Sequence, residues 1–189
     1  MNNTPRPYTT DRNARDVRDW RELPIVLVGL MGAGKSTVGR RLAKALDRPF
    51  TDVDEEIERA ANRTIAEIFE DYGESQFRDG ERRVIRRLMT GARGVIATGG
   101  GAFVDPETRE LIRREAVSVW LDADIDTLVQ RTGKRDTRPL LKGGDPYAIL
   151  LGLKEQRGGA YAQADLHVVT DDGPHQTTVD RIIEALSRW

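Results

Sequence analysis

The chain has 189 residues, 38% of them hydrophobic and 32% charged, a balance typical of one globular domain that can bury a sizeable core. Its net charge of −1 provides no overall field that would attract nucleic acid or an anionic membrane, so neither partner is expected. With no cysteine and only two histidines, His167 and His175, the chain has no disulfides and is a poor candidate for a zinc enzyme.

The N-terminal segment over residues 1–22 is polar and lacks the apolar region of a secretory signal. Its arginines are mixed with acidic residues, which argues against a transit peptide. The most apolar stretch, over residues 24–30, is far too short to span a bilayer. We therefore predict a cytoplasmic protein with a flexible extension over residues 1–22, followed by a single domain over residues 23–189.

Short apolar segments alternate with helical segments from Pro24 onward. The predicted strands cover residues 24–28, 50–54, 94–97, 117–121 and 166–169. The predicted helices include residues 35–46, 106–115, 125–131 and 178–188. This alternation predicts an α/β fold with three layers, in which helices cover both faces of a doubly wound, parallel, five-stranded sheet. Ligands of such sheets bind at the carboxyl ends of the strands.

Two regions interrupt the alternation. Residues 54–90 are largely helical and hold more helix than one crossover needs, which favours a helical flap for substrate binding. Residues 133–146 are rich in glycine, proline and charge, which predicts a mobile loop that serves as a lid. Both regions could close over a ligand and exclude water from it.

The segment GLMGAGKS over residues 29–36, the P-loop, follows a predicted buried strand and precedes a predicted helix. Its glycines allow backbone N–H groups to converge on phosphate oxygens at the positive end of the helix. Lys35 would reach the β- and γ-phosphates of ATP, and the Ser36 hydroxyl would ligate Mg²⁺. A glycine turn with an incidental lysine is the alternative, and the strand and helix on either side argue against it.

Two aspartates lie on the second predicted strand. Alternate residues of a strand face the same side, so Asp52 and Asp54 can point into one site. One carboxylate could hold the magnesium shell, directly or through water, and the other could accept a hydroxyl proton. Asp54 could instead only cap the following helix, and the two roles are compatible.

A second glycine cluster, TGGG over residues 98–101, follows the third predicted strand. Its backbone N–H groups could contact a substrate, although a tight turn without a ligand would use the same residues. Arg78, Arg138 and Arg157 lie outside the core pattern. A guanidinium can bind a carboxylate or phosphate through two hydrogen bonds, so these side chains suit an anionic substrate.

These segments together resemble shikimate kinase, a family of P-loop kinases of the nucleoside-monophosphate-kinase-like group. The resemblance covers about residues 24–189. It rests on the motifs GLMGAGKST (29–37), TDVD (51–54), FRDGE (77–81), TGGG (98–101), TRPLL (137–141) and RGGAY (157–161). The last motif departs from the family, which has a proline and a leucine before the tyrosine where this chain has Gly159 and Ala160. Gly158 and Gly159 soften the segment that should position Arg157.

The resemblance implies ATP as co-substrate, Mg²⁺ as cofactor, shikimate as acceptor and a monomer as the active form. It implies catalytic roles for Lys35, for Asp54, which would orient or deprotonate the acceptor hydroxyl, and for Arg138 on the lid. Ser36 would hold Mg²⁺, and Asp52 would do so through water. The implied ATP contacts are Gly32, Ala33, Gly34, Lys35, Ser36, Thr37, Arg131, Arg138 and Pro174. The implied acceptor contacts are Asp54, Arg78, Gly99, Gly100, Gly101 and Arg157, with Glu81 bracing Arg78.

Three other functions remain to be distinguished. A gluconate kinase would share the P-loop but would not be expected to combine the TGGG cluster with the Arg78 and Arg157 pair. A nucleotide-binding regulatory protein would have no need for the complete set of catalytic side chains. A nucleic-acid-binding module would require a basic stripe with interleaved aromatic residues, and the sequence contains none.

Overall fold

The protein is described by a computed structural model that covers residues 19–91, 93–133 and 144–189. Within these residues, five strands form one parallel sheet in the order β2-β3-β1-β4-β5. The strands are β1 (Ile25–Val28), β2 (Phe50–Asp52), β3 (Val95–Ala97), β4 (Val117–Asp122) and β5 (Leu166–Val169). The parallel five-stranded sheet predicted from the sequence is confirmed.

Helices lie on both faces of this sheet. They are α1 (Lys35–Ala45), α2 (Val53–Ala61), α3 (Ile65–Met89), α4 (Pro106–Glu115), α5 (Ile125–Thr132), α6 (Pro146–Tyr161) and α7 (His175–Ser187). Helix α1 packs on α7, and α3 packs on α4. The chain crosses from β1 to β2 toward one edge of the sheet, and from β3 it crosses back past β1 to β4. Because such crossovers are right-handed, helices α1 and α4, which make these two opposite crossings, lie on opposite faces of the sheet. The structure therefore has the expected three layers.

Strand β1 lies at the centre of the sheet and positions the site. All four of its residues are fully buried, which explains an apolar run without polar alternation. Leu27 on β1 and Asp52 on β2 both have Ala97 of β3 as their register partner. The carboxyl ends of β2, β3 and β1 are thus level and adjacent, and the segments that follow them meet at one edge.

The last residues of the predicted N-terminal extension contact the domain. Asp19 caps a short 3-10 helix, Trp20–Glu22, by accepting a hydrogen bond from the Arg21 N–H. The Arg48 guanidinium donates to the carbonyl of Arg21 at 2.7 Å and to that of Leu23 at 2.9 Å. Residues 19–22 are therefore held on the domain, whereas the remainder of the predicted extension lies outside the described residues.

Helices α2 and α3 cover the region over residues 54–90 that was predicted to be largely helical. A capping box begins α3, since the Thr64 and Glu67 side chains each accept a hydrogen bond from the other residue's backbone N–H. Gly73 interrupts this helix with a φ of +76° and a ψ of 174°, a conformation essentially confined to glycine. Helix α3 therefore consists of two helical segments joined at a bend, which the sequence did not predict.

Helix α6 is the element that the sequence analysis missed. Its exposed Tyr147 and Leu151 blur the apolar periodicity that marks a buried helix face. Three glycines, at positions 152, 158 and 159, also reduce its intrinsic helix propensity. Helix α7 begins at His175, three residues earlier than predicted.

Two glycines with open surroundings predict opposite effects of alanine on stability. Gly152 lies in α6, and a Cβ added there would have no atom within 4 Å, so Gly152→Ala should raise the free energy of unfolding by about 1 kcal/mol. Gly73 is equally open, but its positive φ is unfavourable for alanine, so Gly73→Ala should lower that free energy by roughly 1–3 kcal/mol. Urea unfolding of both variants would test this, and two shifts of the same sign would contradict it.

Candidate active site

The P-loop connects β1 to α1 in a conformation that requires glycine. Gly29, Gly32 and Gly34 all have positive φ angles, between 84° and 132°. A Cβ on Gly29 would lie 2.4 Å from the carbonyl oxygen of Leu121 in the neighbouring strand. Helix α1 begins at Lys35 without a side-chain cap, so the backbone N–H groups of its first turn can bind an anion.

The Lys35 ammonium group lies over this loop. Its Nζ donates to the carbonyls of Gly29 at 2.8 Å and Leu30 at 2.9 Å. These bonds hold a positive charge where the loop and the start of α1 converge. The arrangement is suited to the phosphates of a nucleotide, as the sequence motif predicted.

Ser36 and Asp52 approach each other across the ends of α1 and β2. The Ser36 Oγ donates to Asp52 Oδ2 at 2.6 Å. Hydroxyl and carboxylate oxygens are hard ligands of the kind that Mg²⁺ prefers, so this pair fits that ion. Among residues 19–91, 93–133 and 144–189, no group of three or more His, Asp or Glu side chains could hold a metal ion. A magnesium ion here would therefore need phosphate oxygens and water to complete its shell.

The placement of Asp54 corrects two expectations. Strand β2 ends at Asp52, so Asp54 lies in the first turn of α2 and not on the strand. Asp52, not Asp54, is the N-cap, and its Oδ1 accepts a hydrogen bond from the Asp54 N–H at 3.1 Å. The cap lies earlier because the chain turns immediately after β2. The Asp54 carboxylate is therefore not needed for capping.

The Asp54 carboxyl group faces the TGGG cluster, here called the glycine loop, residues 98–101. Its Oδ1 lies 3.0 Å from the position of a Cβ on Gly99. Burial raises the pKa of Asp54, and the negative charge of Asp52 raises it further, against the opposing charges of Lys35 and Arg78. A partly desolvated carboxylate with a raised pKa accepts a proton more readily than an exposed one.

Arg78 reaches the glycine loop from α3. Its Nη1 donates to Glu81 Oε2 at 2.7 Å, and its Nη2 contacts Glu74 at 3.2 Å. Glu81 is 2% exposed, and its Oε1 has no hydrogen-bond partner. Burial raises the pKa of Glu81, while the neighbouring Arg78 charge opposes that rise. A Cβ on Gly101 would lie 2.4 Å from Arg78 Nη2, so only glycine permits the guanidinium to lie here.

Helix α6 approaches the same loop from the other side. The carbonyl of Gly100 accepts hydrogen bonds from Arg157 Nη1 at 3.2 Å and from Tyr161 Oη at 2.5 Å. Two guanidinium groups from different helices thus meet one short loop. The P-loop is also adjacent, because a Cβ on Gly100 would lie 3.6 Å from the Gly29 carbonyl oxygen and 3.7 Å from the Met31 nitrogen.

The residues predicted to surround the adenine come from α5 and from the start of α7. Arg131 donates to the carbonyls of Asp171 at 2.5 Å and Gly32 at 3.4 Å, which connects the P-loop to the segment before α7. Pro174 is the N-cap of α7. His175 lies near Gly34 of the P-loop. Burial lowers the pKa of His175, and the positive charge of Arg131 lowers it further. No sequence motif marks His175 as part of this site.

Some predicted residues are not described. Arg138 and most of the predicted lid over residues 133–146 lie outside the described residues. No sequence motif marks Lys154, Trp120 or His167 as functional. The spacing of Lys154, Arg157 and Tyr161, three and four residues apart, would have placed these three on one helix face had α6 been predicted.

Within the described ranges, no helix is long and apolar enough to cross a membrane.

Several known proteins resemble this chain over most of its length. The family model described as shikimate kinase matches residues 31–187. The chain is 58% identical over 170 residues to a shikimate kinase of Novosphingobium aromaticivorans, with 88% of each protein covered. It is 56% identical over 171 residues to a shikimate kinase of Caulobacter vibrioides, covering 90% of this chain and 86% of that one. A solved structure of Acinetobacter baumannii shikimate kinase in complex with shikimate has a TM-score of 0.85 and 38% identity, covering 89% of this chain and 96% of that one.

Proposed function

Since the chain belongs to the shikimate kinase family, it phosphorylates the 3-hydroxyl of shikimate with ATP, and we propose that the residues around the P-loop and the glycine loop carry out this reaction. The product, shikimate 3-phosphate, belongs to the biosynthesis of chorismate and the aromatic amino acids. One observation carries the assignment of residues. Asp54, Arg78 and Arg157 come from three different helices and converge on the glycine loop, directly beside the P-loop.

The acceptor would bind between α3 and α6. Arg78 and Arg157 would bind the shikimate carboxylate, because a pair of guanidinium groups matches the charge and the planar shape of that group. The buried Glu81 supports this role by holding Arg78 in place at 2.7 Å. Asp54 would accept hydrogen bonds from the shikimate hydroxyls, and the backbone of Gly99, Gly100 and Gly101 would line the same pocket.

ATP would bind across the P-loop. The backbone N–H groups of residues 32–37 and the Lys35 ammonium would contact its phosphates, and Arg131 and Pro174 would lie on either side of the adenine. For Arg138, the family resemblance alone implies contact with the transferring phosphate. Ser36 would ligate Mg²⁺, and Asp52 would do so through water. When bound, Mg²⁺ neutralises charge on the phosphate oxygens.

The reaction would be a direct transfer. The 3-hydroxyl oxygen of shikimate forms a bond to the γ-phosphorus, the bond from that phosphorus to the β–γ bridging oxygen breaks, and the hydroxyl proton passes to Asp54. Lys35 stabilises negative charge on the leaving ADP. Catalysis of this kind depends mainly on positioning and on charge stabilisation, which the fixed loops and helix ends of this site provide.

Acceptor dependence tests this function. In a coupled assay with ATP and Mg²⁺, ADP release should require shikimate and should stay at background with gluconate, quinate or no acceptor. Removing Mg²⁺ with EDTA should abolish turnover, and adding back excess Mg²⁺ should restore it. Equal turnover on gluconate would contradict the assignment, and so would activity that is unaffected by EDTA. A cytoplasmic location and a monomeric state stay predictions.

A further inference from the structure

Arg157 lies between two contacts that attach α6 to the rest of the domain. Lys154 precedes it by three residues and Tyr161 follows it by four, so all three side chains share one face of the helix. Lys154 and Tyr161 both bind groups at the carboxyl edge of the sheet. The position of Arg157 is therefore set by contacts on both sides of it.

The Lys154 contact joins α6 to the end of β4. Its Nζ donates to the Ala123 carbonyl at 2.8 Å and forms an ion pair with Asp122 Oδ1 at 2.8 Å. The other carboxylate oxygen of Asp122 lies 3.3 Å from His167 Nε2 on β5. Burial acts to raise the pKa of Asp122, but the hydrogen bonds from His167 and Lys154 and their charges together hold it below its usual value.

The Tyr161 contact is linked to the Lys154 contact through Trp120 and His167. Tyr161 is 2% exposed, and its Oη donates to the Gly100 carbonyl at 2.5 Å. Trp120 on β4 stacks on Tyr161 with ring centroids 5.9 Å apart and on His167 with centroids 4.1 Å apart. Since His167 also contacts Asp122, the attachments of Lys154 and Tyr161 are connected through β4 and β5.

The helical segment between Lys154 and Tyr161 has a low intrinsic helix propensity. Gly158 and Gly159 follow Arg157, and a Cβ added to either would have no atom within 4 Å. Each glycine lowers helix stability by about 1 kcal/mol relative to alanine, so the helix alone holds Arg157 poorly. We propose that Lys154 is a positioning residue for shikimate binding, which keeps the Arg157 guanidinium beside Gly100 by holding α6 to Asp122 and Ala123.

A direct electrostatic effect is the competing explanation, since Lys154 could attract the shikimate carboxylate by its charge alone. Asp122→Asn separates the two. This variant keeps the lysine charge and removes the ion pair that holds α6. If Lys154 acts by position, Asp122→Asn should raise the KM for shikimate as Lys154→Met does. If Lys154 acts by charge, Asp122→Asn should leave that KM unchanged or lower it, which would overturn the proposal.

The experiment measures kcat and both KM values for Lys154→Met, Lys154→Arg, Asp122→Asn and the double variant, below their melting temperatures. Lys154→Met should raise the KM for shikimate roughly three- to ten-fold, as expected for losing one partly exposed ion pair and one hydrogen bond. The KM for ATP and kcat should change less than about two-fold, because the Lys154 contacts with Asp122 and Ala123 lie at the end of β4 and not in the P-loop. Lys154→Arg should retain most of the affinity, and the double variant should resemble Lys154→Met, which already removes both contacts.

Lys44→Met is the matched control, because it makes the same substitution at an exposed lysine of α1 and should leave all three kinetic constants unchanged. The proposal rests on the proposed role of Arg157, so Arg157→Met is measured in parallel. If that variant binds shikimate normally, the proposed function of Arg157 is wrong. If it loses affinity but Lys154→Met does not, only the positioning proposal is overturned. An equal loss of affinity for ATP and shikimate in Lys154→Met would indicate a general structural role and would also overturn it.

Discussion

Asp54→Asn is expected to lower kcat by roughly 10²–10⁴-fold while ATP affinity changes little, since positioned proton acceptors typically accelerate turnover by that amount. The carboxylate faces Gly99 of the glycine loop, and Asp52, not Asp54, caps α2. Asparagine keeps the shape and one oxygen but cannot accept the hydroxyl proton. Steady-state kinetics combined with calorimetric titration of ATP would measure both quantities.

Asp54→Asn should keep or increase the stability of the fold while it lowers kcat. The folded protein raises the pKa of Asp54, so it binds the proton of that carboxyl more tightly than the unfolded chain does. The ionised form therefore destabilises the fold at pH values above the folded pKa, and asparagine removes that charge. Asp54→Asn should melt at or above the temperature of the parent protein at neutral pH. Asp126→Asn, in the first turn of α5, controls for the loss of a helix-dipole interaction. Near-normal turnover of Asp54→Asn would contradict the assigned role.

Gly101→Ala should raise the KM for shikimate roughly 10- to 100-fold, the range expected for losing charged hydrogen bonds to one guanidinium. The reason is steric, because the new Cβ would lie 2.4 Å from Arg78 Nη2 and 2.6 Å from its Cζ. Arg78 would have to move, and its hydrogen bond to the buried Glu81 would be strained. Titration of shikimate into the parent protein and into Gly101→Ala would measure the loss of shikimate affinity directly.

Gly80→Ala provides the matched control for this variant. Gly80 lies on α3 close to Arg78, and the Cβ that alanine would add there has no atom within 4 Å. The same chemical change at this position should leave shikimate binding intact and should stabilise the helix by about 1 kcal/mol. Unchanged shikimate affinity in Gly101→Ala would show that Arg78 can shift without cost and would contradict its role as a carboxylate ligand.

Most of the fold followed from local patterns. The alternation of buried apolar runs with amphipathic segments predicted the parallel sheet, and β1 is fully buried as its unbroken apolar run requires. Local patterns failed where tertiary contacts dominate. Helix α6 has three glycines and a mixed apolar surface, and its packing on α5 compensates for that weak propensity. The bend at Gly73 depends on a backbone conformation that no periodicity reveals.

The positions of the two glycine-rich loops could be predicted because short motifs define them. The P-loop and the glycine loop follow buried strands, so their meeting at one edge could be derived from the sequence. The exact turn after β2 could not, and Asp54 was therefore assigned to the wrong element. Contacts such as Lys154 with Asp122 join residues far apart in the chain. No motif marks such a pair, and only the three-dimensional packing brings it together.

The close contact between the two loops limits how the enzyme could be redesigned. A Cβ on Gly100 would already be in van der Waals contact with the Gly29 carbonyl oxygen at 3.6 Å and the Met31 nitrogen at 3.7 Å, so a side chain larger than alanine at position 100 would compete for space with the P-loop. Larger side chains introduced at position 100 to accept other hydroxy acids should therefore alter ATP affinity along with acceptor choice. Changes to the inner faces of α3 and α6 would avoid this conflict. Directed evolution of the acceptor range should accordingly accumulate its productive substitutions on these two helices.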